Sequence, residues 1–139
     1  SRKPTVILDA AHNTSSVRAL IKTLNDGVRA RRRLLVFAAS RDKDVVALLS
    51  LLLPEFDQVV LTQYRNNPRA VTVEELVTIA GALGDFPLKT APDPSTAFQV
   101  ASALAGEEDL ICVTGSFFVA AETRERFTVA AEPALTDAS

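Results

Sequence analysis

Residues 5–13, TVILDAAHN, decide the fold class of this chain. The apolar run TVIL predicts a buried β-strand, and the residues beyond position 13 carry Val17, Leu20 and Leu24 at the spacing of one helical face. The carboxylate of Asp9 and the imidazole of His12 therefore fall between a strand and a helix. In open α/β sheets, ligands bind where such turns leave the carboxyl ends of the strands.

The same strand-then-helix pattern continues through most of the chain. Four more apolar runs predict strands, at about residues 34–38, 58–62, 86–90 and 109–114. Pro87 makes the fourth of these an expected edge strand. The order predicts a Rossmann-like α/β fold, with an open, mainly parallel sheet of five to six strands and helices on both faces. We expect one domain over residues 1–127, including a last helix that ends near residue 127, and a flexible tail over 128–139.

Short polar signals predict where the helices begin. A hydroxyl residue within 14–16 could cap the first helix. Thr72 and Glu75 have the spacing of a capping box, and Asp93 precedes a proline at a predicted first helical position. The basic run at 29–33, RARRR, is interpreted as a solvated turn, with contact to an anion or a partner as the alternative.

Composition excludes several functional classes. The 139 residues are 47% hydrophobic and 23% charged, which is ordinary for a globular domain. A net charge of −2 gives no reason to expect a nucleic-acid partner, and no apolar run approaches the roughly 20 residues that cross a bilayer. Residues 1–4 lack the apolar segment of a secretion signal. The single cysteine, Cys112, lies in a strand-like run and predicts a buried thiol in a reducing, cytoplasmic compartment.

The parallel sheet gathers distant polar residues at one edge. These residues are Asp9, His12 and Asn13, residues 40–44, Gln63, Tyr64, Asp93, Gly115 and Ser116. Each also has an ordinary structural explanation: Asp9 could brace a turn, Asp42 could cap a helix, and Gly115 with Ser116 could form a tight turn. The sequence contains no nucleophile paired with a base, no zinc spacing and no glycine-rich phosphate loop. The residues alone therefore predict an α/β domain with a polar site at one sheet edge.

Several motifs together resemble a known family. Residues 6–13, VILDAAHN, resemble the start of the carboxyl-terminal domain of folylpolyglutamate synthase and dihydrofolate synthase, in the Mur ligase superfamily. Residues 37–44, FAASRDKD, and 109–118, DLICVTGSFF, resemble its Asp-Lys-Asp loop and Gly-Ser turn, and 68–70 its Pro-Arg-Ala segment. The departures are Ala10, where the family has glycine, and Thr14, where it has proline.

The resemblance implies an ATP-dependent ligase whose larger amino-terminal ATPase domain, with its phosphate loop and Mg²⁺ ligands, is absent from these residues. In the family, ATP activates a carboxylate of folate or dihydropteroate, and L-glutamate attacks it to form an amide. By carry-over, Asp9, His12 and Asn13 would contact the nucleotide, although Asn13 could instead fix the turn. Ser40, Arg41, Asp42 and Lys43 would shape the cleft or meet the other domain, and Ser116 and Phe117 would contact the amino acid.

Two alternatives stay open at this stage. The chain could belong to a related Mur ligase that acts on a peptidoglycan precursor, or it could be a non-enzymatic flavodoxin-like binding module. If the ligase interpretation is right, we expect these 139 residues to be inactive alone, because one wall of a cleft cannot enclose a ligand.

Overall fold

The structure, a computed structural model, describes residues 4–8, 13–27, 29–65 and 67–114. Its strands are β1 (Thr5–Leu8), β2 (Arg33–Phe37), β3 (Gln58–Leu61), β4 (Leu88–Thr90) and β5 (Leu110–Thr114). Its helices are α1 (Thr14–Gly27), α2 (Val45–Leu52), α3 (Val73–Leu83) and α4 (Pro94–Leu104), with a 3-10 turn at Leu53–Glu55. The predicted last helix and the predicted tail lie outside the described residues, so these two predictions stay predictions.

The five strands of the described ranges are parallel and form one sheet in the order β1-β5-β2-β3-β4. The predicted parallel α/β architecture is therefore confirmed. The predicted edge position of β4 is also confirmed, although the strand starts at Leu88 rather than at residue 86. Pro87 precedes it and contributes only its carbonyl oxygen, which accepts a hydrogen bond from Val59 N–H at 3.0 Å.

Alternating side chains of each strand build two cores, one on each face of the sheet. On β2, Leu35 and Phe37 face the layer of α1, α2 and α3, whereas Leu34 and Val36 face α4. All four side chains are fully buried. A strand that is apolar on both faces needs a cover on both faces, which explains the continuous apolar runs in the sequence. The predicted helices on both faces are confirmed.

The helix starts show which capping predictions hold. Thr72 and Glu75 form the predicted capping box at α3, and Asp93 accepts the Thr96 N–H at 2.7 Å as the cap of α4. The first helix is different, because its cap is Asn13 rather than a residue within 14–16. Asn13 Oδ1 accepts the Ser16 N–H at 2.8 Å, and the Asn13 N–H bonds back to Ser16 Oγ at 3.1 Å.

The basic run at 29–33 is only partly the solvated turn that was predicted. Arg29 and Arg31 are exposed, but the Arg32 guanidinium bonds to Asp109 Oδ2 at 2.8 and 3.2 Å and to the Leu104 carbonyl at 2.7 Å. Asp109 is 2% exposed. Although it lies in a basic run that predicted a turn, Arg32 therefore fixes the start of the inner strand β5, at the amino edge of the sheet.

Candidate functional site

The carboxyl edge of the sheet is formed by strand ends that lie side by side. Val113 of β5 pairs with Leu8 of β1 on one side and with Val36 of β2 on the other, and Phe37 pairs with Thr114. Neighbouring strands are about 4.8 Å apart. The chain positions where β1, β5 and β2 end are thus adjacent, although they are far apart in sequence.

Four of the predicted site residues lie outside the described residues: Asp9, His12, Ser116 and Phe117. Asp9 and His12 follow β1 in the chain, and Ser116 and Phe117 follow β5. These two strands are adjacent and parallel, and both end at the carboxyl edge. The nucleotide and amino-acid contacts of these four residues stay predictions.

Asn13, which was predicted to contact the nucleotide, is exposed and caps α1 with its side-chain oxygen. The alternative that Asn13 fixes the turn after β1 stays a prediction, because residues 9–12 of that turn lie outside the described residues. A nucleotide contact for this residue stays a prediction, and its capping bond holds the start of α1 at the carboxyl edge.

The loop after β2 is tied to the segment before α3. Ser40 forms an antiparallel bridge with Ala70, the Arg41 N–H donates to the Arg69 carbonyl at 2.7 Å, and the Val71 N–H donates to the Ala39 carbonyl at 3.0 Å. These bonds hold two loops together above β2 and β3. The predicted cleft residues 40–43 therefore lie on a braced loop at the carboxyl edge, and their contact with another domain stays a prediction.

Arg41 and Glu75 form a two-point ion pair between that loop and the first turn of α3. Arg41 Nη1 and Nη2 lie 2.8 and 2.5 Å from the two carboxylate oxygens of Glu75. Their side chains are 49% and 44% exposed. The Arg41 guanidinium, together with the capping bonds from Thr72, lowers the pKa of Glu75 to about 2. The loop after β2 is thus joined to α3 electrostatically as well as through the backbone.

Asp42 braces its own loop. Its Oδ1 accepts the Ser40 hydroxyl at 2.5 Å, and Lys43 lies 3.6 Å from its other oxygen. The Ser40 hydrogen bond is the main cause that lowers the pKa of Asp42. The alternative that Asp42 caps a helix is wrong, because Asp44 caps α2 by accepting the Ala47 N–H at 3.2 Å.

Glu75→Gln is expected to flatten the dependence of stability on pH in acid. The lowered pKa of Glu75 means that its stabilising contribution is present above pH 4.5 and is lost as the pH falls towards about 2. Glutamine keeps the capping box but has no charge for Arg41. The urea midpoints of the wild type and of Glu75→Gln are measured at about pH 6 and pH 3. The midpoint should fall less between these pH values in the variant, and this difference from the wild type should shrink in high salt.

The matched control is Glu74→Gln, which removes a carboxylate of the same helical turn. Within the described residues, Glu74 takes part in no salt bridge, whereas Glu75 binds Arg41. If Glu75→Gln and Glu74→Gln change the acid limb of the stability curve equally, the ion pair with Arg41 does not stabilise this loop.

Clefts lined by described residues open at both edges of the sheet. At the carboxyl edge, a cavity of about 350 Å³ is lined by Gln63, Val73, Glu74, Thr90, Ala91 and Pro92. At the amino edge, a larger one of about 590 Å³ is lined by Thr5, Arg29, Ala30, Arg31, Glu107 and Glu108. Only the first lies on the edge that collects the predicted site residues.

Two site features were not predicted from the sequence. Glu75 was identified only as a capping residue, not as the partner of Arg41. Thr114 ends the most apolar strand with a fully buried hydroxyl that has no hydrogen-bond partner. The signal was a hydroxyl residue at the last position of an otherwise apolar run, directly before the Gly-Ser pair. Across the described part of the chain, no group of three or more acidic, histidine or cysteine residues could hold a metal ion.

A parallel α/β sheet with its polar loops gathered at one edge defines a Rossmann-like ligand-binding domain. The chain belongs to the family described as Mur ligase, glutamate ligase domain, which matches residues 1–117. The predicted family is therefore confirmed.

Known relatives agree with this family. The dihydrofolate synthase/folylpolyglutamate synthase of Mycobacterium tuberculosis is 36% identical over 138 residues, covering 89% of this chain and 28% of that protein. E. coli FolC in complex with DHPP and ADP superposes with a TM-score of 0.80 at 30% identity, covering 90% of this chain and 29% of FolC. The UDP-N-acetylmuramyl-tripeptide synthetase of Leifsonia xyli is 29% identical, covering 82% of this chain and 23% of that protein. The chain thus spans less than a third of each relative. No helix within the described ranges is long and apolar enough to cross a membrane.

Proposed function

We propose that this chain is the carboxyl-terminal domain of an ATP-dependent ligase that adds L-glutamate to folate, with dihydropteroate as a further acceptor. The observation that carries the proposal is the 36% identity with a dihydrofolate synthase/folylpolyglutamate synthase across 89% of the chain. The adjacent carboxyl ends of β1, β5 and β2 support it, because the three strands from which the family motifs continue all end at one edge of the sheet. That edge would form one wall of the nucleotide and amino-acid site.

The proposed reaction passes through an acyl phosphate. A terminal carboxylate of the acceptor attacks the γ-phosphate of ATP, and ADP leaves. The amine of glutamate then attacks the activated carbonyl, an amide forms, and inorganic phosphate leaves with the electron pair of the broken C–O bond. We place the phosphate loop and the Mg²⁺ ligands in an amino-terminal ATPase domain beyond these residues, as the resemblance implies. The present chain would close the other side of the cleft.

Different residues of the carboxyl edge would bind the nucleotide, bind the amino acid and contact the other domain. Asp9 would accept hydrogen bonds from the nucleotide, and His12 would face it across the cleft. Ser116, with Phe117 beside it, would bind the carboxylate of the amino acid. Arg41 would present the braced loop after β2 to the other domain, since its ion pair with Glu75 holds that loop in place.

A second candidate is a Mur ligase that extends a peptidoglycan precursor. The 29% identity with the muramyl-tripeptide synthetase favours this candidate. The Asp-Lys-Asp and Gly-Ser-Phe motifs fit the folate branch better, and the identity with the folate enzyme is higher. Family membership favours either ligase over a non-enzymatic flavodoxin-like module.

The complete ligase should release ADP only when ATP, L-glutamate and folate or dihydropteroate are present together. A coupled assay of ADP release, with each substrate omitted in turn, measures this dependence. The 139 residues alone should release none, because they supply one wall of the cleft. Robust ATP hydrolysis by the chain alone, or ADP release that ignores both acceptors, would contradict the proposal.

A further inference from the structure

Thr114, the last residue of β5, has a buried hydroxyl without a hydrogen-bond partner. Its side chain is 0% exposed, and Oγ1 is one of two buried side-chain polar atoms without a partner in the described residues. The other is Asp109 Oδ1, but the second oxygen of that carboxylate accepts bonds from Arg32 and Gly106. Of these two described residues, Thr114 is therefore the one with a whole polar group unsatisfied, although buried hydroxyls are nearly always paired.

Thr62 provides an internal comparison at the same edge. It follows β3 directly and is also 0% exposed, but its Oγ1 donates to the Ala91 carbonyl at 3.0 Å. The fold can therefore satisfy a buried threonine at the carboxyl edge with its own backbone. At Thr114 it does not, and a valine of the same shape would fill the position without an unpaired hydroxyl.

The position of Thr114 suggests what the hydroxyl pairs with. Strand alternation places Thr114 on the face of Leu110 and Cys112, which is the face covered by α1 and α2. Both helices follow strand ends at the carboxyl edge, and they begin there after the caps Asn13 and Asp44. Helix amino termini favour an anionic oxygen at such a place.

We propose that the Thr114 hydroxyl donates a hydrogen bond to a carboxylate or phosphate oxygen of a substrate bound at the carboxyl edge. This inference rests on the proposed function for the identity of the two anions, glutamate and nucleotide. Because the hydroxyl is buried, the bond requires the bound anion to displace the atoms that cover the end of β5. An unpaired buried hydroxyl raises the free energy of the substrate-free protein. The hydrogen bond to the substrate would remove that unfavourable contribution.

Calorimetric titration of the complete ligase with ADP, and separately with L-glutamate, tests the inference without needing turnover. Thr114→Val should weaken the binding of one of the two by about tenfold, and the affected ligand identifies the source of the anion. Thr114→Ser, which keeps a hydroxyl, should restore most of that affinity. The KM for the same ligand should rise in parallel in the ADP-release assay.

Thr62→Val is the matched control, because it removes the same group from a bonded position. It should lower the urea midpoint of the chain and leave both affinities unchanged, whereas Thr114→Val should leave the midpoint unchanged or higher. Wild-type affinity for both ligands in Thr114→Val overturns the inference. So does a fall in its urea midpoint like that of Thr62→Val. A ligase that is inactive with folate and glutamate but still shows the Thr114 effect on ADP would instead overturn the proposed function alone.

Discussion

Phe37→Ala in the 139-residue chain is expected to lower the free energy of unfolding by about 3–5 kcal/mol. Phe37 is a large, fully buried side chain that points from the inner strand β2 into the core beneath α1, α2 and α3. Alanine removes the whole ring and leaves a cavity that rigid strands on both sides prevent from closing. Its neighbours in the sheet are Leu61 and Thr114, so the cavity lies directly below the carboxyl edge.

Urea unfolding measures this loss as a lower midpoint with an unchanged slope. The control is Val46→Ala on α2, where the side chain is 52% exposed and the expected change is within about 0.5 kcal/mol. If the two variants unfold at similar urea concentrations, Phe37 does not lie at the centre of a packed layer, and the assigned sheet order fails with it.

Asp9→Ala in the complete ligase is expected to lower kcat/KM for ATP by about 10- to 150-fold. A hydrogen bond to a charged group contributes about 1.5–3 kcal/mol, and this change removes the carboxylate that we propose binds the nucleotide. The strand before Asp9 ends at the carboxyl edge beside the inner strand β5. Initial rates at varied ATP, with glutamate and folate saturating, provide the measurement.

Asp26→Ala is a suitable control, since Asp26 is an exposed aspartate in the last turn of α1 and pairs only with Lys22 within the described residues. It should leave the rate constants for ATP unchanged. If the Michaelis constant for ATP and the turnover number of Asp9→Ala both equal those of the wild type, Asp9 has no role at the nucleotide.

The strands were well predicted from the sequence because a strand that is buried on both faces has a continuous run of apolar residues. The runs before Asp9 and around Cys112 are continuously apolar, and both are strands of the sheet. The order of the strands in the sheet has no comparable pattern in a short stretch of sequence. The insertion of β5 between β1 and β2 depends on pairing between residues about a hundred positions apart, such as Ile7 and Cys112.

Helix caps were predicted where one candidate stood alone and missed where several stood together. Thr72 is the evident cap of α3, whereas residues 13–16 all carry side chains that can cap a helix. The choice of Asn13 depends on its reciprocal bonds with Ser16.

Long-range ion pairs were beyond sequence reasoning for a similar reason. Arg32 and Asp109 are 77 residues apart, and Arg41 and Glu75 are 34 apart. The motifs predicted Arg41 to be a cleft residue, which stays a prediction, and the structure shows that its loop follows the carboxyl end of β2. Only the fold shows that Glu75 holds this arginine in place.

The most direct test of the central claim offers the complete ligase a choice of acceptors. Folate, dihydropteroate and a UDP-muramoyl peptide are mixed with ATP, L-glutamate and a set of the other amino acids that includes 2,6-diaminopimelate, and the products are identified by mass spectrometry. The account predicts glutamate joined by an amide bond to one or both pteridine acceptors, and an unmodified muramoyl peptide. A glutamylated or otherwise extended muramoyl peptide, with both pteridines unchanged, would contradict it.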